Sequence, residues 1–108
     1  MSEPEKIFDT LAEQFAVQPD VVRGQMFGKQ CVKVNGKAFA AFHKDEMVFK
    51  LSREMHKKAL AIKNAHLWDP SGKGRPMKDW ICIPASNSSI WREFVEAAQA
   101  FVTRLSAQ

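Results

Sequence analysis

Residues 31–51, CVKVNGKAFAAFHKDEMVFKL, decide the fold of this chain. Asn35-Gly36 stands between two short β-forming segments, residues 32–34 and 37–39. A two-residue type I′ turn needs positive φ at both central positions, and Asn-Gly adopts them readily. A second turn, predicted as the three residues 44–46, sends the chain back through residues 47–51. The stretch therefore predicts three antiparallel strands joined by tight hairpins.

The two turns also predict which side chains share a face of this sheet. The register places residue 34 opposite 37, 32 opposite 39 and 41 opposite 49. Since side chains alternate along a strand, one face is predicted to form the core. This face consists of Val32, Val34, Phe39, Ala41, Met47, Phe49 and Leu51.

The opposite face is predicted to be too apolar for free solvation. It consists of Cys31, Lys33, Ala38, Ala40, Phe42, Val48 and Lys50. An apolar surface of this kind needs a cover. A packed segment of the same chain is the simplest cover, a second copy of the protein the next, and a ligand the third.

Three helices and further strands complete the predicted fold. Ser2 and Glu5 form a capping-box pattern for a helix that ends near Val17, and Ser52 caps a second helix through about Lys63. A third helix follows from an apolar stripe at helical spacing: Ile90, Trp91, Phe94, Val95, Ala98, Phe101, Val102 and Leu105. Residues 77–83 predict a strand, and residues 21–27 can supply another.

This order of elements predicts one α+β domain over residues 1–108. Its antiparallel sheet has four to five strands, and three helices pack against it in the order helix, strands, helix, strand, helix. The chain is 45% hydrophobic, with eight Phe and three Trp, which is enough for one core. No apolar run approaches the roughly 18 residues of a membrane span, and the acidic N-terminus is unlike a secretory signal. Together with two cysteines far apart in sequence, this predicts a cytoplasmic protein with no membrane partner.

Positive charge concentrates in the middle of the chain. Residues 21–83 hold thirteen basic and five acidic side chains, whereas residues 1–20 hold one basic and five acidic. Such asymmetry favours an acidic partner, including nucleic acid.

Motifs for chemistry are missing from the sequence. The histidines and cysteines, which are His43, His56, His66, Cys31 and Cys82, form no CxxC or HxxxH pair. There is no serine nucleophile elbow, paired-acid motif or dinucleotide fingerprint. We therefore expect no metal, no cofactor and no enzymatic activity.

The segment WDPSGKGRPMKDWICIP, residues 68–84, is the candidate binding surface. Its glycines and prolines exclude a helix, so it begins as a loop. The predicted contact residues combine this loop with the outer face of the sheet, and they are Lys73, Arg75, Lys78, Trp80, Phe42 and Lys50. The residue types favour a different reading over this one, in which an ordinary solvated loop closes on its own core and Trp80 is buried between solvated cations.

Several of these segments together resemble the N-terminal domain of the TfoX/Sxy family. They are residues 26–28 (MFG), 32–40 (VKVNGKAFA), 48–51 (VFKL) and 74–80 (GRPMKDW), followed by Pro84 and Trp91. The resemblance implies a compact α+β domain, similar in outline to YjbR-type proteins. Full-length TfoX proteins regulate natural competence with the cyclic-AMP receptor protein, and they carry a further C-terminal domain that the matching segments do not include. The family supplies no catalytic or metal residues.

These observations predict a non-enzymatic cytoplasmic binding module, monomeric or homodimeric, whose partner is a protein. The alternative is a nucleic-acid-associated or transcription-regulatory domain that uses the basic central segment. A small enzyme with a pocket under the Gly-Pro loop is a third reading.

Overall fold

The computed structural model describes residues 2–106, which form an α+β domain with three helices and a six-stranded antiparallel sheet. The helices are α1 (Glu3–Phe15), α2 (Arg53–Leu60) and α3 (Trp91–Ser106), and a 3₁₀ helix, Ala85–Ile90, leads into α3. The strands are β1 (Val21–Met26), β2 (Lys29–Val34), β3 (Lys37–His43), β4 (Glu46–Lys50), β5 (His66–Trp68) and β6 (Met77–Pro84). Their order across the sheet is β1-β2-β3-β4-β6-β5.

The predicted fold class is confirmed, but the predicted count of four to five strands was too low. The missed strand is β5, which has only three residues and lies directly before Asp69-Pro70. So short a segment shows no alternation along its own sequence. Pairing with β6 is what makes it a strand.

Both predicted helix caps are present. The Ser2 hydroxyl accepts a hydrogen bond from the Glu5 amide, and the Ser52 hydroxyl accepts one from the Met55 amide. The Glu5 carboxylate, which the capping-box pattern places on the Ser2 amide, instead accepts from Gln30 Nε2 at 3.1 Å and links α1 to β2. The helices are slightly shorter than predicted: α1 ends at Phe15 and α2 at Leu60.

The hairpin turns confirm one prediction and correct another. Asn35 and Gly36 have φ of 53° and 80°, as a type I′ turn requires. The second turn contains two residues rather than three, because His43 pairs with Glu46 instead of Met47. Lys44 and Asp45 adopt φ of 51° and 64° although neither is a glycine. Their residue types gave no signal for this geometry.

A β-bulge corrects the predicted faces of β3. Val32 pairs with Ala40 and Lys33 with Ala38, which leaves Phe39 as the extra residue. A bulge reverses the alternation beyond it. Ala41, predicted in the core, therefore faces the other way, while Ala40 and Phe42, predicted outside, belong to the helix-side core.

The bulge and the shorter turn each shift the register by one residue, and the two shifts cancel in β4. For this reason Met47, Phe49 and Leu51 lie on the core face as predicted. Phe49 stacks against Phe94 of α3 with ring centroids 5.8 Å apart. The main core thus lies between the sheet and the helices.

The sheet face opposite the helices carries a second, smaller core. Its buried members are Cys31, Ala41, Val48, Trp68, Trp80 and Cys82. The Trp68 ring lies 5.4 Å from that of Trp80 and 6.1 Å from that of His43 in β3, so it reaches across the sheet from β5. Side chains of the same chain therefore cover this part of the face, as predicted.

No helix within residues 2–106 is long and apolar enough to cross a membrane.

Candidate functional site

The six predicted contact residues do not form one surface. Lys50 and Lys78 line the same groove, whereas Lys73 and Arg75 are exposed on the loop outside its lining. Trp80 is only 5% exposed. Its indole packs on Trp68 in the second core, so it is unable to serve as an exposed contact.

Phe42 is the clearest error in the predicted surface. The bulge turns it to the helix side, where its ring centroid lies 5.3 Å from that of Phe8 in α1. It is therefore on the opposite side of the sheet from the predicted outer-face surface. The stacking of two phenylalanines beneath a helix is a packing contact.

The groove that contains Lys50 and Lys78 has a volume of about 570 Å³. It lies where the end of β4, the start of α2, β6 and the end of α3 meet. Its lining consists of Lys50, Leu51, Arg53, His56, Lys57, Lys78, Asp79, Phe101 and Leu105.

The groove combines cationic walls with an apolar floor. Four lining side chains, Lys50, Arg53, Lys57 and Lys78, are permanent cations near neutral pH, and Asp79 is the single carboxylate among the lining residues. The apolar lining residues, called the floor of the groove below, are the buried Leu51, the half-buried Phe101 and the exposed Leu105. This arrangement attracts negative charge and offers burial to apolar groups.

Hydrogen bonds connect the start of α2 to β6, the two elements that carry three of the four lining cations. His56 Nε2 in α2 donates to the Lys78 carbonyl oxygen at 2.7 Å. The Leu51 amide donates to the Asp79 carbonyl oxygen at 3.3 Å. The start of α2 is therefore attached to β6.

The basic loop is organised by a carboxylate that the sequence analysis did not identify. Asp69 Oδ1 accepts from the Ser71 hydroxyl at 2.7 Å and the Gly72 amide at 3.0 Å, and Oδ2 accepts from the Gly74 amide at 2.8 Å and the Arg75 amide at 3.2 Å. These bonds, first that from Ser71 and then those from the amides, lower the pKa of Asp69. The loop is thus an ordered ring of donors around one carboxylate.

Replacing Asp69 with alanine is expected to open this loop. With four donors left without their acceptor, trypsin should cleave the Lys73–Gly74 bond about tenfold faster than in the wild type, since cleavage follows the population of the open state. Timed digestion with mass spectrometry measures this rate. Ser71→Ala, which removes one donor to Asp69, should change it less. Equal rates for wild type and Asp69→Ala would contradict the assigned role.

A histidine holds Trp68 in the second core. Trp68 Nε1 donates to His43 Nδ1 at 2.9 Å, so the neutral imidazole carries its proton on Nε2. Burial, followed by the nearby charges of Lys29 and Lys44, lowers the pKa of His43. The lowered pKa favours the neutral ring that accepts the indole hydrogen bond.

A cluster of three possible metal ligands lies next to this histidine. Glu46, His66 and Cys82 each offer one ligand atom, and these atoms all lie within 4.8 Å of one another. His66 Nε2 is 2.8 Å from Glu46 Oε1. All three residues line a cleft of about 150 Å³. Spacing along the sequence gave no sign of this cluster, because its members come from three different strands, β4, β5 and β6.

Both cysteines are free and buried. Burial, followed by the Glu46 charge, raises the pKa of Cys82 to about 12, and burial also raises the pKa of Cys31. A raised pKa disfavours the thiolate form that a nucleophilic cysteine needs.

No protein-family model matches the chain, and no curated protein matches its sequence. The resemblance to the TfoX N-terminal domain therefore stays a prediction.

Proposed function

We propose that this protein is a non-enzymatic binding module whose groove takes an acidic protein segment with apolar side chains. One observation carries the proposal: four cations line the groove together with three apolar side chains and a single carboxylate. Carboxylates of the partner would pair with the cationic walls, while its apolar side chains would lie on Leu51, Phe101 and Leu105. An amphipathic helix or extended peptide presents both kinds of group on one side.

The groove supports binding better than catalysis. His56, the one histidine in its lining, has Nε2 engaged with the Lys78 carbonyl oxygen. The lining contains no serine, threonine or cysteine that His56 could activate. A nucleophile hydrogen-bonded to its base is the usual mark of covalent catalysis.

A protein partner is also favoured over single-stranded nucleic acid. Sites for single strands combine cations with exposed aromatic rings on which bases stack. The three tryptophans, Trp68, Trp80 and Trp91, are all buried, and Phe42 packs on Phe8. Phe27 is 61% exposed, but it stands in the turn between β1 and β2, outside the groove lining. Phe101 is the one aromatic side chain in that lining, and it is half-buried against the core. The basic charge of residues 21–83 remains the observation that favours nucleic acid.

The proposal includes a cytoplasmic location and a relationship to the TfoX N-terminal domain. Two free, buried cysteines fit a reducing compartment, which supports a cytoplasmic location. The relationship to the TfoX N-terminal domain is proposed on the sequence segments quoted above, and a role in competence regulation would follow from it.

Charge reversal in the groove tests the proposal. The probe is a fluorescein-labelled synthetic helix with glutamate on one face and leucine on the other. We expect Lys57→Glu combined with Lys78→Glu to weaken its binding at least about tenfold, because each added carboxylate repels the probe instead of attracting it. Fluorescence anisotropy at two salt concentrations measures the affinity.

The matched control is Lys37→Glu combined with Lys63→Glu, which changes the net charge equally at exposed positions outside the groove lining. It should leave most of the affinity intact. An equal loss in both double variants would contradict a groove-specific site. Binding of a labelled oligothymidylate but not of the peptide, with a steep salt dependence, would favour the nucleic-acid alternative.

A further inference from the structure

The small cleft at the edge of the sheet brings together three chemically different metal ligands. β4, β6 and β5 are neighbours in the sheet, and they contribute a carboxylate, a thiol and an imidazole, respectively. His66 and Cys82 are direct partners in the β5–β6 register, so their side chains leave the same sheet face. Glu46 reaches His66 from the strand beyond β6.

The orientation of His66 suits coordination through Nε2. Its Nδ1 donates to the Leu67 carbonyl oxygen at 3.0 Å, which places the second ring proton away from the cluster. Metal-binding histidines characteristically donate their other ring N–H to a carbonyl or carboxylate oxygen in this way, which orients the ring and selects its tautomer. Nε2 then points at Glu46 Oε1, next to the Cys82 sulfur.

We propose that Glu46, His66 and Cys82 form a binding site for a divalent transition-metal ion of the Zn²⁺ type, with a water molecule as fourth ligand. Thiolate sulfur, imidazole nitrogen and carboxylate oxygen are the ligand types that Zn²⁺ takes in tetrahedral sites. The site is separate from the groove and does not rest on the proposed function.

The distances require only a local adjustment. Ligand atoms on one tetrahedral Zn²⁺ lie about 3.3–3.7 Å apart, given metal–ligand bonds of about 2.0–2.3 Å. Glu46 and His66 are closer than this, at 2.8 Å, and the cluster as a whole spans at most 4.8 Å. His66 is exposed at its strand edge and Glu46 is half-buried, so both can move by about 1 Å toward the buried sulfur.

Binding exchanges protons for the metal. The Cys82 S–H bond breaks, its proton passes to solvent, and the sulfur forms a bond to the ion. The Nε2–H group that His66 donates to Glu46 Oε1 also loses its proton to solvent, and Nε2 and Oε1 each form a bond to the ion. The negative charges of the thiolate and the Glu46 carboxylate balance the two charges of the ion, beside the cation of Lys44 in the same cleft.

Cobalt(II) titration of the full chain tests the site, because a thiolate bound to Co²⁺ gives a charge-transfer band in the near ultraviolet and tetrahedral Co²⁺ gives visible bands. We expect both bands to saturate at one Co²⁺ per chain and to disappear when Zn²⁺ is added. Cys82→Ser should abolish the charge-transfer band. His66→Gln should lower the Co²⁺ affinity at least about tenfold, because substituting a residue that only hydrogen-bonds to a metal ligand already lowers metal affinity by about that factor.

Cys31→Ser is the matched control, because Cys31 is the other buried thiol of the same core, and this variant should keep both bands. Circular dichroism checks that each variant is folded. Should Cys82→Ser fail to fold, His66→Gln and Glu46→Gln decide the question, because their side chains lie outside the buried core. The proposal is overturned if the wild type shows no charge-transfer band, or if the band survives in those two variants with unchanged affinity.

Discussion

Trp68→Ala is expected to lower the free energy of unfolding by about 3–5 kcal/mol, the usual cost of truncating a buried tryptophan. Trp68 is 1% exposed and contacts the rings of Trp80, His43 and Phe27. Its removal leaves a cavity on the sheet face that no helix covers. It also takes away the indole donor to His43. Urea unfolding followed by circular dichroism measures the change.

Trp68→Phe separates the contribution of the packed ring from that of the hydrogen bond to His43. It keeps an aromatic ring on Trp80 but lacks the N–H donor, so we expect a loss that is clearly smaller than for alanine. The half-buried His43 can take water as a substitute donor. A change within about 1 kcal/mol for Trp68→Ala would show that the side opposite the helices is not a core, because surface substitutions typically have effects no larger than this.

Trp91→Ala is expected to cost a similar amount, about 3–5 kcal/mol, for a different structural reason. Trp91 is fully buried at the first residue of α3, and its indole donates to the Ile83 carbonyl oxygen at 3.1 Å. This bond attaches the start of α3 to β6. The substitution removes both the packed ring and this attachment, and the same urea experiment applies.

Glu96→Ala is the control for Trp91→Ala, because it truncates an exposed side chain of the same helix. Alanine is a better helix former than glutamate, so the change should stay within about 0.5 kcal/mol. Equal stability losses for Trp91→Ala and Glu96→Ala would contradict the role assigned to Trp91. Comparable large losses for Trp68→Ala and Trp91→Ala would show that both faces of the sheet contribute to stability.

Features that depend on neighbouring residues were predictable from the sequence. Ser2 and Ser52 cap helices as expected, and Asn35-Gly36 forms the expected turn. In each case the backbone preference of one or two residues and a partner within a few positions determine the geometry. The apolar stripe of α3 was equally clear, since it repeats over four turns.

Features that depend on distant pairing were not predictable. The Phe39 bulge and the Lys44-Asp45 turn changed the face of Phe42, and with it one of the predicted contacts. β5 becomes a strand through β6, and the Glu46, His66 and Cys82 cluster exists because three strands meet at one edge. The groove likewise joins Lys50, Lys78 and Leu105 from separate parts of the chain.

The amino-acid sequence by itself therefore determined the fold class, the helices, one hairpin turn and the core side of β4. Tertiary structure alone decided the sixth strand, the bulge, the side on which Phe42 lies and the residues that share each site. The physical reason is the range of the interactions. Caps and turns gain their free energy within a few residues, whereas register, burial and ligand clusters depend on which strands and helices lie side by side.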